Sequence, residues 1–161
     1  MYLNCHSYYS LRYGTFPVDV LVEMAVKQGI DTLALTDINN SMGMVDFVKA
    51  CNKNGVKPVA GIEFRDGNEL LYIGIARNNE GFQELNEFLS YHNINHLPLP
   101  EEAPAFRHSF VIYPFEKKLP DQLRENEFTG IRSTDLNRLL SSDYRHRQHK
   151  LVALCPVTFD S

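Results

Sequence analysis

Met1–Gly14, read MYLNCHSYYSLRYG, is the stretch on which the fold turns. Leu3 and Cys5 alternate with Asn4 and His6, the period-two pattern of a short strand, so the strand carries His6 to the point where a hydroxyl-rich loop begins. Two later segments repeat the arrangement. Thr32-Leu33-Ala34-Leu35-Thr36 ends in Asp37, and Lys57-Pro58-Val59-Ala60-Gly61-Ile62 ends in Glu63. Barrel enzymes gather their chemistry at the C-terminal ends of strands, so His6, Asp37 and Glu63 are expected to share one site.

Helical patterns fill the spaces between these strands. Pro17 starts one, with Val18, Leu21, Val22 and Ala25 at one-face spacing until Gly29 stops it. A second places Val45, Phe47, Val48 and Cys51 inward and stops at Gly55. Asp66-Gly67-Asn68 turns the third strand into a fourth, Glu69 to Ala76, and Asn78 or Asn79 caps a helix with Phe82, Leu85, Phe88 and Leu89 on one face. Pro98, Pro100 and Pro104 mark Asn93 to Arg107 as a surface loop. Beyond it the pattern predicts strands at Ser109–Pro114, Glu127–Arg132 and Lys150–Pro156. Short helices are expected over Leu119–Arg124 and from Ser133 or Thr134 through Leu140. Seven strands with helices mostly between them define an α/β chain.

Composition narrows the function classes. The 161 residues suit one domain. A net charge of -4 supplies no general grip on nucleic acid, so any DNA contact has to be local. Cys5, Cys51 and Cys155 form no CxxC pair and leave one thiol over after any disulfide, which argues for reduced thiols and a cytoplasmic protein. No apolar run is long enough to span a membrane.

LNCHSYYS, ALTDINNSMG and KPVAGIEF, in this order and spacing, resemble the opening motifs of the PHP (polymerase and histidinol phosphatase) family. Within it they resemble the PHP domain at the N-terminus of bacterial DNA polymerase III alpha subunits. The resemblance implies a distorted (βα)7 barrel in which residues 1–161 are one PHP domain, the N-terminal part of a longer polymerase subunit. The DNA-directed DNA polymerase (nucleotidyltransferase) chemistry of that subunit would belong to a separate downstream domain.

Active members of the family hold several metal ions with histidines and carboxylates from several strand ends, because adjacent cations need bridging carboxylates and must activate a water. This chain keeps His6, Asp37 and Glu63 and departs from the family pattern elsewhere. Asn4 and Ile38 stand where the family has histidines and Tyr13 where it has an aspartate. Pro156 and Thr158 stand at the aspartate and histidine of the last motif. The vestigial trio then has two readings, a single weakly bound divalent metal or a polar cluster in which the carboxylates pair with His6 and backbone donors. The ligand count favours the second, with no cofactor and no catalytic residue in this part of the chain. Cys5 adjoins His6, but neighbouring strand residues face opposite ways, which separates their side chains.

Arg145-His146-Arg147-Gln148-His149-Lys150 is the one basic cluster; it reads as a solvated connector or as a partner contact through Arg145, Arg147 and Lys150. His92, His96 and His108 share no ligand spacing and are expected at the surface. In relatives with degenerate sites this domain holds the proofreading exonuclease subunit, so the resemblance implies a structural and docking role in DNA replication. Its partners would be the rest of the alpha subunit, the exonuclease and, through the polymerase, DNA. An active metal-dependent phosphoesterase or 3'-5' exonuclease is the rival reading, and a stand-alone binding module is another.

Overall fold

The computed structural model describes residues 1–156. Seven strands form one mixed sheet: β1 (Tyr2–Cys5), β2 (Thr32–Leu35), β3 (Lys57–Asp66), β4 (Glu69–Ala76), β5 (Ser109–Pro114), β6 (Glu127–Ile131) and β7 (Leu151–Ala153). They lie side by side in chain order. β1, β2 and β3 pair in parallel, β4 runs antiparallel to both β3 and β5, and β5, β6 and β7 are again parallel. Every strand except β4 therefore points the same way, and their C-terminal ends share one edge.

Four α-helices accompany the strands: α1 (Val18–Lys27), α2 (Met44–Asn54), α3 (Asn79–Ile94) and the short α4 (Leu136–Leu140). Asn78 caps α3 by accepting a hydrogen bond from the Gly81 amide at 2.9 Å. α2 ends where Gly55 takes φ +68°, the left-handed conformation that glycine adopts without a Cβ penalty.

Helices cover one side of the sheet. α1 and α2 bury Leu21, Val22, Phe47 and Cys51 against Leu33 and Leu35, while α3 buries Leu85 and Leu89 against Phe64, Tyr72 and Val111. Each such fully buried side chain contributes roughly 1.5–3 kcal/mol of transfer free energy. On the other face Ala34, Ile73, Ile75, Ile112 and Leu154 cluster with Leu3, Val59 and Val152. One cluster drawing on both β1 and β7 requires the sheet to curl around that face.

Several expectations need correction. Val45 is 64% exposed: Met44 takes its place on the inner face of α2, beside the expected Phe47 and Cys51 and the partly buried Val48. β3 runs past Glu63 to Asp66, since it leaves β2 after Ala60 and pairs with β4 from Gly61 onward. Pro58 is tolerated because that half of β3 has a partner on one side only. The proline-bearing connector is anchored: Ala103 and Phe106 are buried, and the Ala103 amide donates to the Tyr113 hydroxyl at 3.0 Å. The stretch expected as a short helix over Leu119–Arg124 is a single 3-10 turn, Pro120–Gln122, and the basic segment forms two more, Asp143–His146 and Gln148–Lys150. β7 spans only Leu151–Ala153. Among the described residues β1 and β7 are the two edges of the sheet, which is a curled, open arrangement.

Candidate functional site

Strand direction and alternation bring His6, Asp37 and Glu63 to the C-terminal edge of the β1-β2-β3 half. His6 follows β1, Asp37 follows β2 by two residues, and Glu63 lies at the handover of β3 from β2 to β4. The backbone knits the three together: the Thr36 amide donates to the Cys5 carbonyl at 2.9 Å, and the Glu63 amide to the Asp37 carbonyl at 3.1 Å. All three side chains are 1% exposed.

The two carboxylates nevertheless lead separate lives. Asp37 Oδ1 accepts from the Ser7 amide at 2.7 Å and the Ser10 hydroxyl at 2.6 Å, and Oδ2 from the Ser7 hydroxyl at 2.7 Å. Ser10 Oγ in turn accepts from the Ile38 amide at 2.9 Å. This mutual cradle joins the loop after β1 to the loop after β2. Gly14 belongs to it, since a Cβ there would lie 1.8 Å from the Ser7 carbonyl oxygen.

Glu63 has a different set of donors. Its Oε2 accepts from Asn4 Nδ2 at 2.6 Å and from His6 Nε2 at 2.7 Å, and its Oε1 from Arg65 Nε. Burial alone would push this carboxyl up, but the hydrogen bond and charge of His6, the Asn4 amide and the Arg65 charge outweigh it and hold it below its ordinary value. His6 Nδ1 is buried with no hydrogen-bond partner among the described residues. His6 thus joins Glu63 only, and the expected bridge to Asp37 is replaced by the serine cradle.

Arg65, Ser7 and Ser10 are site residues that the family's ligand positions do not pick out, although both serines fall within LNCHSYYS. Arg65 had a visible signal, because it follows Glu63 by two in a strand and so shares its face. The serines had none beyond their place in the loop. Of the family positions that carry other residues here, Asn4 bonds to Glu63, and Tyr13 lies with its ring 4.4 Å from the Arg65 guanidinium carbon. Ile38 forms a backbone bridge with Glu63, Pro156 is exposed beyond β7, and Thr158 lies outside the described residues. Cys5 is buried in the apolar core, where burial and then the Asp37 charge push its thiol up to about 12, so it is no nucleophile.

Neither carboxylate has an oxygen left without a protein donor, and among the described residues no three His, Cys, Asp or Glu side chains form a metal-holding group. The donor set does not fit a metal cluster as it stands. A cavity of about 940 Å³, lined by residues such as Leu3, Val59, Ile75 and Phe110, opens at the N-terminal ends of the strands, away from this cluster and apolar in character.

Away from the site, Arg145 and Arg147 lie at the exposed face of the basic segment, Arg147 pairing with Asp121 at 3.0 Å. Lys150 Nζ donates to the carbonyls of Arg124 at 2.8 Å and Glu125 at 2.7 Å, which gives it a role in closing that end of the fold. His96 and His108 are exposed and His92 is partly buried, its Nδ1 2.8 Å from the Phe88 carbonyl oxygen.

A mixed α/β sheet whose parallel strands deliver a histidine and two carboxylates to one edge defines the class. The PHP domain model matches residues 3–139, and the chain belongs to the PHP domain family. Within the family its sequence is similar to DNA polymerase III alpha subunits. It is 32% identical to the Staphylococcus aureus (strain COL) subunit over 127 residues, covering 77% of this chain and 12% of that one. It is 46% identical to the Chlamydia muridarum subunit over 61 residues, covering 38% and 5%. The chain thus spans about an eighth of the length of the Staphylococcus relative. A solved amidohydrolase from Chromobacterium violaceum is similar at a TM-score of 0.47 and 20% identity, over 59% of this chain and 34% of that one. Among the described residues no helix is long and apolar enough to cross a membrane.

Proposed function

We propose that this domain is a catalytically silent PHP module at the N-terminus of a DNA polymerase III alpha subunit, acting in the cytoplasm as a structural element of DNA replication and as a docking site for the proofreading exonuclease. The observation that carries the silent reading is the engagement of both surviving acids: every carboxylate oxygen of Asp37 and Glu63 already accepts from a protein donor. A hydrolytic metal centre needs those oxygens to bridge ions and to hold a nucleophilic water. On this reading the curled sheet supplies the seven strands of a distorted (βα)7 barrel, and any residual divalent ion is single and weak.

The docking role follows from the similarity to alpha subunits and from the surfaces that the strands carry. The anchored proline-bearing connector and the exposed Arg145 and Arg147 are loop surfaces carried by the sheet, and recognition concentrates on such loops. Lys150 contributes less, because its ammonium is committed to backbone carbonyls.

Calorimetry with the cognate exonuclease subunit and the full-length alpha subunit tests the proposal. Binding weakened by Arg145→Glu with Arg147→Glu supports docking here, and unchanged affinity after deletion of the domain overturns it. Two or more metal ions per chain that survive dialysis would overturn the silent reading.

A further inference from the structure

We propose that Arg65 is the resident cation of the strand-end cluster, permanently holding the charge position that a divalent ion would need, and that Tyr13 and Asn39 lock it there. This rests on the reading of the site as metal-free and deepens it by naming what replaces the metal.

A carboxylate as deeply buried as Glu63 demands a compensating positive charge, because an unpaired ion in such a place costs several kcal/mol. His6 and Asn4 satisfy one oxygen. The other faces Arg65 alone. Arg65 follows Glu63 by two within β3, so alternation places both side chains on one face.

Three residues then fix the guanidinium and its backbone. Arg65 Nη1 donates to the Asn68 carbonyl at 3.2 Å, and the Tyr13 ring lies against the guanidinium while its hydroxyl donates to Asn68 Oδ1 at 3.2 Å. Asn39, itself at φ +50°, clamps the Arg65 backbone from both sides: its Oδ1 accepts from the Arg65 amide at 2.9 Å and its Nδ2 donates to the Arg65 carbonyl at 2.8 Å. A planar guanidinium held by a carboxylate, a carbonyl and an aromatic face is pre-organised, and a lysine would lose the stacking and the directed N–H bond. The arginine side chain is 11% exposed, so solvent does little to compete for it.

Removing Arg65 should therefore open the site to a metal ion, since Glu63 Oε1 would lose its donor and the buried carboxylate its permanent cation. The test uses the full chain, with cobalt(II) and zinc(II) added separately. Binding is followed by calorimetry and by the visible absorption of cobalt, and the melting temperature is recorded alongside. Arg65→Ala is expected to bind either ion about tenfold or more tightly than the unaltered chain. Arg65→Lys should gain little, and Arg65→Ala combined with Glu63→Gln should lose the gain. A folded Arg65→Ala with no more affinity for either ion than the unaltered chain overturns the assignment of Arg65 and leaves the silent-module reading standing. Saturable, tight binding by the unaltered chain overturns that reading itself. Should Arg65→Ala not fold alone, refolding restored by zinc or by methylguanidinium supports the role of the cation, and failure with both overturns it.

Discussion

Two buried glutamates divide this molecule, and their surroundings differ in kind. Glu63 sits near the C-terminal edge of the sheet and collects donors from β1, from the end of its own strand and, behind them, from the loop after β1. Glu127, fully buried at the start of β6, lies at the opposite edge and is neutralised by its chain neighbourhood. Lys118 donates to it at 2.9 Å, Arg124 through its amide at 2.8 Å and its guanidinium at 3.1 Å, and the Tyr113 hydroxyl approaches at 3.3 Å. Glu127 therefore has two cations and Glu63 has one arginine and a histidine. The first arrangement staples a connector to the sheet; the second is a strand-end site whose polar groups converge from elements distant in sequence.

Unequal redundancy predicts unequal damage. Arg65→Met, which removes the one permanent cation that Glu63 has among the described residues, should cost about 3–5 kcal/mol of unfolding free energy in urea. Lys118→Met should cost about 2 kcal/mol or less, because Arg124 still faces Glu127. The reverse order would break the comparison.

Two glycines sharpen it further. A Cβ on Gly14 would meet the Ser7 backbone at 1.8 Å, whereas one on Gly130 would meet the end of the Leu154 side chain at 2.2 Å. Side-chain ends can rotate and carbonyls in a hydrogen-bonded loop cannot. Gly14→Ala should destabilise by about 2–3 kcal/mol and Gly130→Ala by about 1 kcal/mol, read from denaturation midpoints. Equal losses would mean that the loop cradling Asp37 is softer than its hydrogen bonds indicate.

The halves should also fail at opposite ends of the pH scale. Glu63 is held below its ordinary 4.5 in the folded chain, so its contribution is intact above that value and is lost as the pH falls through the lower folded value. Burial pulls Lys118 down, but Glu127, Tyr113 and Glu102 outweigh it and hold it above its ordinary 10.5. That contribution is intact below 10.5 and is lost as the pH rises through the higher folded value. Melting curves across pH should show the acid limb flattened in Glu63→Gln and the alkaline limb flattened in Lys118→Met. A variant that alters the wrong limb would contradict the assignment.

The smallest effect is a rate. Cys155 is exposed, while burial pushes Cys51 up to about 11 and Cys5 higher still. A thiol reagent at neutral pH should modify Cys155 at once and the other two only on opening of the α1–α2 core. In Arg65→Met the slow phase should accelerate more than in Lys118→Met.

Much of this was legible in local pattern. Alternation in β1 and β2, the Asp66-Gly67-Asn68 turn and the asparagine before α3 follow from sterics within a few residues, and so does the delivery of His6 and Asp37 to strand ends. The family motifs rest on the same short stretches. Pattern failed where the outcome depended on non-local competition: the exposure of Val45, the burial of Ala103 and Phe106 and the extension of β3 were each decided by which neighbour was available to cover them.

The sequence by itself determined that His6 and Asp37 would follow the ends of strands, because strand period is a local property. Only the tertiary structure decided that Ser7 and Ser10 take Asp37, that Arg65 takes Glu63 and that Lys118 and Arg124 take Glu127. The physical reason is desolvation: a buried charge accepts whichever donor the packed chain brings within about 3 Å. That donor is chosen by the register of strands, not by spacing along the chain.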